Sequence, residues 1–111
     1  MRETERLFTE AAKQDHVYAQ YHLGVIYANG EGVKQDYSKA RGWYEKAAKQ
    51  GQAYAQCNLG VLCEFGHGVE QSDSDAVRWY GRAAAQGHEK AKQRMDVILQ
   101  KRREQTKQKQ K

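Results

Sequence analysis

The chain contains no proline in its 111 residues, so nothing of that kind interrupts a helix anywhere along it. Cysteine is almost as scarce, with Cys57 and Cys63 alone. If both lie on one helix, their Cα atoms stand about 9 Å apart along the axis and a third of a turn out of phase, beyond disulfide reach. They read as reduced core thiols, consistent with a reducing compartment. No stretch approaches the roughly 18 consecutive apolar residues that a membrane span needs. Residues 1–6, Met-Arg-Glu-Thr-Glu-Arg, are too charged for a signal peptide, and the expected location is cytoplasmic.

One-sided charge is also missing from most of the chain. The formal net charge is +5, but residues 101–111 hold six cations, Lys101, Arg102, Arg103, Lys107, Lys109 and Lys111, against Glu104. The other residues carry thirteen basic and thirteen acidic groups and balance. The basicity therefore belongs to a Gln/Lys-rich tail, expected to be disordered and solubilising. Its alternative role is binding nucleic acid or another acidic surface.

What the chain has in quantity is itself. Tyr18-Ala19-Gln20 returns as Tyr54-Ala55-Gln56, Leu23-Gly24-Val25 as Leu59-Gly60-Val61, and Trp43-Tyr44 as Trp79-Tyr80, each 36 positions on. Gly30 and Gly32 match Gly66 and Gly68; Ala40, Ala47 and Gly51 match Ala76, Ala83 and Gly87. Such self-similarity marks a tandem array. Apolar residues within each copy fall at helical spacing, predicting a helix A (Ala19, Leu23, Ile26, Tyr27; Ala55, Leu59, Leu62, Cys63), a glycine-containing exit and a helix B. Asp36 and Ser72 stand where the N-caps of helix B belong. The alanines of helix B permit close approach, and Gly24 and Gly60 read as notches for an aromatic ring. The fold class is all-α, with about six helices.

The register continues beyond the two complete copies. Leu7 and Phe8 stand where Trp43 and Tyr44 stand, so residues 3–14 read as an orphan helix B; 15–50 and 51–86 are the repeats, and 87–100 is a third helix A. Together they make one domain over 1–100, with 101–111 as the tail. Read as B-A pairs these are three helical hairpins. The open start around Leu7 and Phe8 invites self-association or marks a truncation.

Leu-Gly-x-x-Tyr-x-x-Gly-x-Gly-Val, leading into Lys39-Ala40-x-x-Trp43-Tyr44-x-Lys46-Ala47-Ala48-x-Gln50-Gly51, closely resembles the Sel1-like repeat, a relative of the tetratricopeptide repeat. The second copy departs at Cys63, in place of Tyr, and at Ser72, in place of Asp36. The resemblance implies an α/α solenoid, a right-handed superhelix of antiparallel helix pairs, used mostly as an adaptor that holds other proteins. A cysteine-rich secreted branch of the family, some of whose members are described as binding or hydrolysing β-lactams, ties each helix A to its helix B by a disulfide. This sequence lacks that cysteine pattern, so β-lactam processing is the weakest functional alternative.

No nucleophile and base, and no spaced pair of carboxylates, stands out, so no catalytic residue and no cofactor is assigned. Cys57, Cys63 and His67 lack the spacing of a zinc site. The glycine turns lack the phosphate-loop patterns. A second stripe on helix A is the better candidate: Tyr18, His22, Val25 and Asn29 share a face, with Tyr54, Asn58, Val61 and Phe65 equivalent in the next unit. Helix A lines the concave side of related solenoids, and aromatic rings with amides suit the capture of a peptide or protein. Val25 and Val61, identical in both units, read as packing residues. His22, Asn29, Asn58 and Phe65, which differ between units, carry more of the binding reading.

Overall fold

Side-chain chemistry starts each repeat helix, and a change of backbone hand ends helix A. The computed structural model describes residues 2–109, and side-chain surroundings for 3–106. It contains α1 (Arg2–Lys13), α2 (Val17–Asn29), α3 (Tyr37–Lys49), α4 (Ala53–Phe65), α5 (Asp73–Ala85) and α6 (Glu89–Lys109). Asp36 accepts the Lys39 N–H at 3.1 Å and Ser72 accepts that of Asp75 at 3.1 Å, capping α3 and α5 as expected. The A helices are capped less conventionally. His16 and His88 accept a backbone N–H through Nδ1, and Gln52, at the equivalent place, does so through its amide oxygen. Helices α2 and α4 end at Gly30 and Gly66, whose φ of 68° and 70° is the left-handed exit that glycine makes without strain.

Each helix packs mainly on its chain neighbours, so the core is a file of three apolar clusters along a body 58 Å long and 17 Å at its thinnest. The curvature follows from which helices meet across the array. The backbones of α2 and α4, and of α4 and α6, approach more closely than those of α1 and α3 or of α3 and α5. The A helices therefore line the concave side. Small-against-large packing sets the spacing of each pair: a Cβ on Gly24 would stand 2.4 Å from the ring of Tyr44, and one on Gly60 2.5 Å from the ring of Tyr80. Both tyrosines are buried. Trp43 and Trp79 are only half-buried, with Lys46 and Arg82 lying over their rings on the convex side.

A ladder of glutamines joins the hairpins. Buried Gln20 donates to the Ala12 carbonyl at the end of α1 and accepts from Gln50; buried Gln56 donates to the Ala48 carbonyl and accepts from Gln86. Each gives a second donor to a helix-end carbonyl that also accepts a backbone N–H, Ala12 from Asp15 and Ala48 from Gly51. Cys57 and Cys63 lie on the single helix α4, free and buried, and burial pushes both thiols up.

The last helix runs on through residues that the sequence reading placed in the tail. Helix α6 continues to Lys109. Arg102 and Glu104 occupy the places of Gly66 and Gly68, and no glycine follows Gly87, so the chain has no left-handed exit there and continues helically. Arg102 also anchors the extension, donating to Ser74 Oγ at 3.0 Å. Residues 110 and 111 lie outside the described residues.

Candidate functional site

Between α2 and α4 the concave side opens into a groove of about 470 Å³, lined by Tyr21, Val25, Ala28 and Asn29 from α2, Tyr37 and Tyr44 from α3, Asn58, Val61 and Leu62 from α4, and His67 from the following turn. None of these is Asp, Glu, Lys or Arg. The fold unites the middle of the stripe here: Val25, Asn29, Asn58 and Val61 share one cavity. The Asn58 amide beside the phenols of Tyr21 and Tyr44 opposes part of what burial does. Burial prevails and pushes both phenols up. His67 stacks on Tyr37 with ring centroids 4.6 Å apart, walling one end.

The equivalent niche one repeat on is closed. Thirty-six residues beyond Ala28, Tyr44 and Asn58 stand Glu64, Tyr80 and Arg94. The Tyr80 hydroxyl donates to Glu64 Oε1 at 2.7 Å, Arg94 Nε donates to the same oxygen at 3.1 Å, and the Arg94 guanidinium pairs with the other carboxylate oxygen. The guanidinium also lies over the Phe65 ring, 5.7 Å from its centroid. Burial, then the hydrogen bond to Glu64, raises the Tyr80 phenol; the carboxylate raises Arg94. Position for position, an ion pair fills the second niche, while a methyl group and an amide leave the first one open.

The rest of the stripe lies at the two ends of the groove. Tyr18 and Tyr54 are 57% and 60% exposed, and their rings belong to an aromatic strip that leads into it. His22 is half-buried between Phe8, stacked at 5.3 Å, and the rings of Tyr18 and Tyr21, while Tyr54 faces Tyr21 and His88. His22 is therefore largely a packing residue, held by α1. Phe65, 55% exposed, marks the far end. Val25 and Val61 pack against the core and also line the groove. Tyr21, Ala28, Tyr37 and His67 were missing from the predicted stripe. Their counterparts are Cys57, Glu64, Asp73 and Glu31, and that non-identity between copies was the signal that could have found them.

Among the described residues no three His, Cys, Asp or Glu side chains gather as metal ligands. His67 is occupied by Tyr37, while Cys57 and Cys63 face the core. No helix of the described residues is long and apolar enough to cross a membrane.

Comparison with known proteins gives a consistent result. The model of the Sel1 repeat matches residues 17–52 and 53–88, two residues on from the bounds 15–50 and 51–86 read from the sequence. A protective antigen of uropathogenic Escherichia coli strains, displaying an SLR fold, superposes with a TM-score of 0.78 at 46% identity over 79% of this chain. A Sel1 repeat protein from Oxalobacter formigenes gives 0.78 at 39% identity over 85%, and cysteine rich protein B of Helicobacter pylori 0.76 at 28% over 81%. The chain spans 19%, 40% and 68% of those three proteins. No curated protein matches it.

Proposed function

The chain belongs to the Sel1 repeat family, whose members generally mediate protein–protein interactions, and from that premise we propose that it is a non-enzymatic interaction module that captures an extended segment of a partner protein on its concave face. The observation that carries this reading is the open groove between α2 and α4, lined by aromatic rings and amides without a formal charge. A surface of this kind buries apolar area and pairs backbone amides at once, as peptide recognition requires. It sits on rigid helices held by core tyrosines, so it is preorganised and loses little side-chain freedom on binding.

The test is site-resolved. A photo-crosslinking amino acid is placed singly at Tyr54 and Phe65 on the concave side, and at Lys46 and Arg82 on the convex side, in the chain expressed in its native cell. Discrete crosslinks from the concave positions and none from the convex ones support the reading. Crosslinks from the convex positions alone, or only from the basic end of α6, contradict it.

A further inference from the structure

The two niches share one geometry, and the filled one shows what the open one lacks. In the second, Tyr80 donates to a carboxylate oxygen on a short aliphatic stem, that of Glu64, and Arg94 neutralises its charge. In the first, Tyr44 keeps its place over Gly24, but Ala28 offers no acceptor and Asn58 no cation. The missing piece is thus an oxygen acceptor on an apolar stem. A carboxylate is a poor candidate for it: no Lys or Arg lines the groove to compensate its charge. Desolvating an anion there leaves it uncompensated. A cation finds no carboxylate in the lining to receive it. A primary amide meets both conditions: its oxygen accepts from Tyr44, its N–H groups can reach the carbonyl oxygen of Asn29 or Asn58, and its stem rests on Val25, Val61 and Ala28.

We infer that the groove recognises an uncharged amide side chain of the captured segment, glutamine above all as the neutral isostere of Glu64, seated between Ala28, Tyr44 and Asn58. The inference rests on the concave-face reading and specifies its chemistry. It also predicts how to close the site, because A28E with N58R installs the ion pair that already fills the niche one repeat on.

The experiment selects a library of random displayed peptides of about a dozen residues on the intact chain, then measures the enriched peptides by fluorescence anisotropy. The expected result is a shared glutamine whose exchange for glutamate or lysine weakens binding by about tenfold or more. The A28E/N58R variant shows a comparable loss with an unchanged melting temperature. Should that variant fail to fold, Tyr44→Phe, which removes only the hydroxyl, gives the same reading through a smaller loss confined to glutamine-bearing peptides. Enriched peptides that lose affinity with Tyr54→Ala but tolerate the glutamine exchange overturn the inference and leave the concave-face reading standing. Enrichment of no peptide, or binding indifferent to every concave substitution, overturns both.

Discussion

The Tyr80 hydroxyl donates to Glu64 Oε1 at 2.7 Å, and that bond separates a closed repeat from an open one. Tyr44 occupies the same place in the preceding unit, facing Ala28 and Asn58 across an open groove. The series extends one step further back, where Phe8 stacks on His22. One backbone register thus carries three fillings: an aromatic stack, an amide beside a phenol, and an ion pair. The scaffold is the repeated part, and recognition is placed where the repetition lapses.

The ion pair should matter to stability through its burial. The Glu64 side chain is only 10% exposed and that of Arg94 34%, so Arg94→Ala leaves a largely buried carboxylate without its cation. We expect a loss of about 2 kcal/mol, short of that for a fully buried pair because water still reaches the guanidinium. The Glu64→Ala/Arg94→Ala double variant should lose less than the sum of the singles. Chemical denaturation of all four proteins measures the coupling; strict additivity would show that the pair contributes nothing of its own.

Glycine substitutions should split by position. Gly60→Ala drives a Cβ to 2.5 Å from the Tyr80 ring, whereas a Cβ on Gly42 of α3 meets nothing within 4 Å. The first is expected to destabilise by about 1–3 kcal/mol despite the better helix propensity of alanine. The second should stabilise by about 0.5–1 kcal/mol. Thermal melts of the two variants are expected to move in opposite directions.

Alkali should unfold the chain through its buried phenols. Tyr21, Tyr27, Tyr44 and Tyr80 are all raised, chiefly by burial, above the ordinary value of 10.0. The unfolded chain ionises first, so the stability these groups contribute is complete below pH 10.0 and is lost as the pH rises past it. Denaturant midpoints at about pH 9 and about pH 11 should differ, and Tyr44→Phe should shrink the difference.

The unusual caps give a matched comparison. His16, Gln52 and His88 do the same work at successive helix starts, accepting a backbone N–H at 3.2, 2.7 and 3.2 Å. His16→Gln and His88→Gln should be nearly neutral, while alanine at either place should cost about 1 kcal/mol. Equal effects of glutamine and alanine in denaturation would mean that these caps contribute no stability.

Periodicity was enough to read the helices, because a 36-residue repeat with alanines, notch glycines and polar caps leaves few alternatives. Projecting helix A alone also locates four of the ten residues that line the groove, Val25, Asn29, Asn58 and Val61. Tyr37 and His67 could not be found that way, since they come from the start of helix B and from a turn, and only the folded array stacks one on the other. The extension of α6 past residue 100 is harder to read, since charge and glutamine content point to a tail while the absence of glycine after residue 87 points to continued helix. Gln20 and Gln56 were visible as repeated letters, but their role depends on a carbonyl eight residues away and on a partner thirty residues on.

The central claim, that recognition occurs in the open niche between α2 and α4, is tested most directly by chemical-shift mapping. The nitrogen-15-labelled chain is titrated with the partner segment identified by crosslinking. The account predicts saturable shifts of the side-chain amides of Asn29 and Asn58 and of the His67 backbone amide, with α1 and the 101–109 end of α6 unmoved. Shifts confined to α1 or to that basic end, with Asn29 and Asn58 silent, would contradict it.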